Sequence, residues 1–340
     1  MCKNKSNIPR TAIEVFNFVA KFQMRALFLF LVSIFVVGSC SIPEVQESEK
    51  GFVIIASDFL SSNDSLIFKN FEKSNKTKVH IKHLSTDSII SHVKQFGYNT
   101  QFDGVLLFSS YSMNRLSNLN FLNELPDQLS HQPKAIRAPY NKWICIGFDP
   151  YVIDFKDSII ENVSYHELTY GHRWKSELTK EQSAAFYASV LHQFGRKQLA
   201  KSMTWLKEYK NHEISTENDS LKIANFTLNR YSIVKKKDGN FIIPNQDKTG
   251  AFFDGIGIGM LTHTSKYTEL ERLISYLLLR QNNQGIMAKL DLFPLENPAN
   301  RSAYSYQNKY PKLCRCTPNK CVSEYREMER ILKNLNRKRL

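Results

Sequence analysis

Apolar and polar positions fall in blocks along this chain. From Ala26 to Gly38 every residue except Ser33 is apolar or glycine, and Lys21 and Arg25 precede the run. A helix that crosses a bilayer needs about 20 apolar residues, so these thirteen fit the apolar segment of a secretory signal better than a membrane anchor. Residues 41–50 are polar and read as a short tether. GFVIIASDF, from Gly51, predicts a strand that ends at small and polar residues. DSLIFKNFEKSNKTKVHIKHL begins as an amphipathic helix, with Leu66, Ile67, Asn70 and Phe71 at helical spacing, and passes through a polar turn into the strand-like alternation Val79-His80-Ile81. Residues 103–110 repeat the first pattern. Strands alternating with helices imply a parallel sheet, whose ligands sit beyond the carboxyl ends of the strands.

A longer strand is expected at 143–155, interrupted at Asp149-Pro150. Helices follow at about 180–194 and 196–209, then a lysine-flanked strand region near 221–236. GAFFDGIGIGMLTH returns to a β pattern, and the helix ELERLISYLLLRQ runs into a loop at Leu292-Phe293-Pro294. A last helix, about 322–338, carries Val322, Tyr325, Met328, Ile331, Leu332 and Leu335 on one side, a face that should dock on the body.

Charge changes this picture little. The chain's net charge is +14; residues 1–39 hold five Lys/Arg and one Glu, which leaves 41 bases against 31 acids, or +10, over the other 301 residues. Ten Lys/Arg and three Glu, +7 of that total, lie in residues 309–340, so the basicity belongs to the tail. A nucleic-acid protein would carry its charge as a stripe interleaved with aromatics. The tail reads as a solvated basic helix, or as a contact for anionic lipid or a partner protein.

Val37-Gly38-Ser39-Cys40 resembles the lipobox of bacterial lipoproteins, in which the cysteine is lipidated and becomes the mature N-terminus. The alternative is an uncleaved helix with an incidental cysteine. Met24-Arg25 suits an initiation site better than residues 1–23 do. Cys145 lies in an apolar run and reads as a core residue. Cys314, Cys316 and Cys321 form C-x-C-x4-C, one thiol short of a structural zinc set; a disulfide of Cys314 or Cys316 with Cys321 is the other reading.

Taken in order, five stretches resemble the extracellular solute-binding proteins of ABC importers, specifically the ferric-ion-binding group. They are GFVIIASDF with its helix into KVHI; QFDGVLLFSSYSMNRLSNLNFLNEL; Pro139-Tyr140-Asn141-Lys142-Trp143-Ile144 with the strand through Phe155; HELTYGHRWKSEL; and the segment from NQDKTGAFFDGIGIGMLTH to KLDLFPL. The likeness spans roughly residues 50–300. It implies an α/β, two-lobed periplasmic-binding-protein fold of type II, with a hinge and an interlobe cleft. Residues 51–145 with about 250–300 would form lobe 1, residues 146–249 lobe 2, and residues 301–340 a Cys-containing basic C-terminal segment.

Ser57 and Asp58 end the first strand, and Ser109, Ser110 and Tyr111 end the one at 105–108, positions that project hydroxyls and helix-start N–H groups toward a cleft; ordinary helix capping is the competing role. Tyr231, within Leu228-Asn229-Arg230-Tyr231-Ser232, resembles one member of the family's tyrosine pair, the metal ligand for ferric ion, with Ser232 in place of the second. Asp149 and Tyr151 stand where the family carries basic and small residues, and Asp254 and Ile256 where it carries Asn and Ser. His80, His83, His92, His166 and His172 form no H-E-x-x-H, and the Gly255–Gly259 cluster lies in a β pattern, where close strand packing explains it. No nucleophile and base stand in a catalytic context.

These features imply a non-enzymatic lipoprotein, anchored at Cys40 on the periplasmic or extracellular side. It would capture ferric ion, as cargo and not as a cofactor, or a small anion or metal complex, for an ABC permease. The alternative is a surface lipoprotein of the same fold that binds a partner or signals.

Overall fold

The apolar run after Gly51 forms β1 (Gly51–Ser57), buried almost continuously because it is covered on both faces. It pairs in parallel with β2 (Lys78–Leu84) on one side and β3 (Gly104–Leu107) on the other. The crossovers are α1 (Asp64–Asn75) and α2 (Thr86–Phe96), and α3 (Ser110–Asn118) leaves the end of β3. These elements belong to a computed structural model that describes residues 51–58, 64–130, 138–155, 164–166, 174–194, 204, 226–237, 239–296, 311–314, 324, 325, 327 and 330. All lie in one unit, Lys50–Leu340. The signal region, Cys40, the tether, Cys316, Cys321, His172, nearly all of the helix expected at 196–209 and most of the last helix lie outside the described residues.

The strand expected at 143–155 is β4 (Ile144–Phe155), and Asp149-Pro150 does not interrupt it. Pro150 is tolerated because the strand changes neighbours there. Up to Pro150, β4 pairs antiparallel with β8 (Phe253–Met260); from Tyr151 onward it pairs antiparallel with β6 (Phe226–Arg230). The missing proline N–H is therefore not missed by either ladder. β8 also pairs antiparallel with β3, and β5 (Trp174–Ser176) closes the far edge, giving the order β2-β1-β3-β8-β4-β6-β5. A two-residue strand, β7 (Phe241–Ile242), adds to β4.

Two hydrophobic clusters follow this division. One gathers β1, β3, the first half of β4 and β8 with α1, α2 and α6 (Tyr267–Leu278) and α7 (Arg280–Lys289). The other centres on Tyr151, Ile153, Tyr165, Leu228 and α4 (Lys180–Phe194), whose Phe186 meets Tyr151, Tyr165 and Phe252 ring to ring. Cys314 belongs to this second cluster while Leu313 packs against the first, with Cys314 N donating to Ala251 O at 2.8 Å.

Three local outcomes differ from the sequence reading. The strand near 221–236 ends at Arg230, and Tyr231–Lys236 form the helix α5. The single helix expected from Glu269 breaks at Leu279, an extended residue between α6 and α7. Helix α2 was not anticipated, although Ser85 caps it by accepting from Ser88 N and Ile89, Ile90 and Val93 form its buried stripe. Among the described residues, no helix is long and apolar enough to cross a membrane.

Candidate ligand site between the lobes

Charge is expensive to bury unless it is paired, and three charged side chains with no exposure mark the place where β4 changes sheets: Asp149, Arg230 and Asp254. Asp149 on β4 and Asp254 on β8 are direct cross-strand partners. Arg230 ends β6 with its Nε 2.9 Å from Asp149 Oδ2. Nε makes no hydrogen bond, so this approach is an ion pair without hydrogen-bond alignment. The guanidinium Nη1 donates to the Phe108 carbonyl at 3.0 Å, and its carbon lies 4.0 Å from the centre of the Phe108 ring. Arg230 thus reaches from the second sheet to the end of β3. Ser232 completes the shell of Asp149, its N–H donating to Oδ1 at 3.1 Å and its hydroxyl to Oδ2 at 2.5 Å. Burial pushes the Asp149 carboxyl up, while Arg230 and Ser232 pull it back down.

Asp254 is bonded at the start of α3. Its Oδ1 accepts from Ser110 N at 2.9 Å, from Ser110 Oγ at 2.6 Å and from Gly255 N at 2.8 Å. A carboxylate at the first amides of α3 answers the positive end of the helix. The helix-start donors expected to meet a ligand are therefore engaged by the chain's own acid.

The remaining candidates are placed as follows. Ser57 and Ser109 are buried at the same carboxyl edge of the sheet, since β1 and β3 run parallel in register, and both hydroxyls lack a hydrogen-bond partner. Ser112 Oγ, Asn114 Nδ2, Arg230 Nη2 and Asp254 Oδ2 are likewise buried and unpartnered. Asp58 is exposed. Tyr111 packs edge-to-face on Tyr325, whose hydroxyl lies 2.9 Å from Ser110 Oγ and whose phenol burial holds well above its ordinary range. Tyr151 is a core residue: its hydroxyl donates to Gln182 O at 2.8 Å, and burial, with Asp254 second, keeps the phenol protonated. Tyr231 opens α5 with its ring against Phe241 and Phe293. Ser109, Ser110 and Asp254 thus come together, with Ser57 on the same edge, whereas Tyr151 and Tyr231 are held in aromatic packing. No group of three or more His, Cys, Asp and Glu among the described residues is arranged to hold a metal.

Arg230, Ser232, Asn114 and Tyr325 were not among the sequence candidates. Arg230 had a legible signal, because a charge inside a buried β run implies a partner. Tyr325 had none, since it reaches Ser110 across 215 residues.

No protein-family model and no curated protein sequence matches the chain. Solved structures do match. A Trichodesmium protein in complex with iron and citrate is 13% identical with a TM-score of 0.68, covering 84% of this chain and 99% of that one. The ferric binding protein of Campylobacter jejuni is 16% identical, TM-score 0.69, with 84% and 99% covered. Ferric iron-binding protein A of Mannheimia haemolytica in an open conformation is 16% identical, TM-score 0.70, with 84% and 98% covered. The chain has the two-lobed periplasmic-binding-protein fold.

Proposed function

We propose that this chain is the solute receptor of an importer, lipid-anchored through Cys40, that holds a small anion, or a metal complex presented through its anion, in the interlobe cleft. One observation carries the reading: Ser57 Oγ and Ser109 Oγ, at the carboxyl ends of β1 and β3, and Arg230 Nη2, whose guanidinium reaches Phe108, are buried with no hydrogen-bond partner among the described residues, and a guanidinium with hydroxyls recognises oxyanions. A bare ferric ion fits less well. Tyr231 lies with its ring against Phe241 and Phe293 and has Ser232, not a second tyrosine, beside it. The Trichodesmium structure, with iron and citrate together, supports a ferric carboxylate complex as the cargo. Binding proteins among the neighbours support a role without bond breaking, and a permease as the partner that reads lobe closure.

A thermal-shift series on the purified full chain tests this, using ferric citrate, phosphate, phosphonates and sugar phosphates. A cargo at 100 times its Kd adds about 2.7 kcal/mol and raises Tm by several degrees. Arg230→Met combined with Asp149→Leu, which leaves no unpaired buried charge, should abolish that shift, and Tyr231→Phe should leave it intact without loss of a tyrosinate absorption band. A shift lost in Tyr231→Phe would instead establish direct ferric coordination. If no solute moves the transition, transport gives way to partner binding. That second reading has its own support in the way Asp149 and Arg230 already answer each other's charge.

A further inference from the structure

A groove of about 340 Å³ lies beside α3. Tyr111, Asn114, Arg115 and Asn118 line it from one face of α3, as their spacing of three and four requires. Lys94, in the last turn of α2, supplies a second cation, and Tyr325 walls the groove from the C-terminal segment. Among the described residues, no carboxylate lines it and Lys94 makes no ion pair. Arg115 is paired with Asp87 at 3.4 Å, an exposed contact that screening by water leaves weak.

Asn114 gives the groove a fixed donor. Trp143 Nε1 can only donate, and it lies 3.3 Å from Asn114 Oδ1, so the amide orientation is set and Nδ2 is left to donate elsewhere. Asn114 is 4% exposed and that Nδ2 has no partner. A buried donor left unmade costs stability that a ligand acceptor recovers. Tyr111 and Tyr325, edge-to-face at 5.2 Å, add apolar surface beside the cations.

We propose that this groove, which shares no lining residue with the Arg230, Ser57 and Ser109 set, is a second ligand site for a small organic anion: a carboxylate or phosphate held by Lys94, Arg115 and Asn114 Nδ2, carrying a flat apolar group against Tyr111 and Tyr325. The volume suits a single small molecule. The site does not rest on the cargo proposed for the cleft. Because one wall comes from Tyr325, occupancy also holds the C-terminal segment against α3.

Calorimetric titration of the full chain with phenyl phosphate, benzoate and inorganic phosphate tests this. Phenyl phosphate and benzoate are expected to bind, and inorganic phosphate at least tenfold more weakly. Lys94→Gln, an exposed change, and Asn114→Asp, which keeps the acceptor for Trp143 but removes the donor, should each weaken phenyl phosphate about tenfold or more. Circular dichroism and Tm report that both variants stay folded, and Lys94→Gln should leave a cleft cargo's thermal shift unchanged. Absence of binding by both aromatic anions, undiminished binding in both variants, or equal affinity for inorganic phosphate would each overturn the proposal.

Discussion

Asp149 and Arg230 exemplify how one residue's environment decides its worth. Neither is exposed, and each is tolerable only because the other is present. Asp149→Asn leaves a buried guanidinium uncompensated and is expected to cost about 3–5 kcal/mol, whereas Asp149→Leu with Arg230→Met should recover most of that loss. Urea midpoints at constant m-value separate the two outcomes. Cys145 offers a second check. Burial pushes its thiol up to about 12, so the thiolate is almost absent at pH 8, and Asp254 adds to the shift. Iodoacetamide should therefore label Cys145 only as the protein unfolds, with a rate that follows the urea transition. The unusual acids at 149 and 254 were legible in the sequence as departures from the family. That each would be matched by a bonded partner was not, because Ser232 lies 83 residues from Asp149 and Ser110 lies 144 from Asp254.

At the scale of elements, apolar runs found β1, β3, β4 and β8 because buried strands announce themselves by continuous hydrophobicity. They could not show where a strand gives way to a helix. The end of β6 is fixed by tertiary contacts, Arg230 to Phe108 and Ser232 to Asp149, which local propensity does not contain. The glycine cluster was read as close strand packing, and the geometry explains it. A Cβ at Gly257 would lie 2.4 Å from Met113 Cγ and 2.9 Å from the Trp143 ring. Gly257→Val should cost about 1–3 kcal/mol through overpacking, measured as a lowered urea midpoint. Gly250 is different: its φ is +89°, and a Cβ would meet the Lys312 carbonyl at 2.6 Å, so Gly250→Ala would strain the backbone and push against the C-terminal segment together.

At the scale of the whole molecule, the C-terminal segment touches elements far apart in the chain. Tyr325 meets Ser110 and Tyr111 of α3, while Glu324 lies 3.8 Å from His192 on α4 and Cys314 Sγ lies 3.7 Å from Gln193 Oε1. The apolar face expected on the last helix did include Tyr325, but nothing in the chain's pattern told where it would land. Tyr325→Ala removes a buried aromatic ring and is expected to cost about 3–5 kcal/mol, while Tyr325→Phe, which keeps the ring, should cost only about 1 kcal/mol. Thermal melts of the two variants resolve packing from the hydroxyl contact.

The order of strands carries a consequence for biogenesis. β3 ends at Leu107, but β8, its neighbour in the sheet, begins at Phe253, 146 residues later. A chain delivered N-terminus first holds the apolar edge of β3 without its partner for that whole interval, roughly 7 to 30 seconds at translation rates of 5–20 residues per second. An unpaired apolar edge invites pairing with other chains, so this protein should depend on a holding chaperone during synthesis far more than its finished structure suggests.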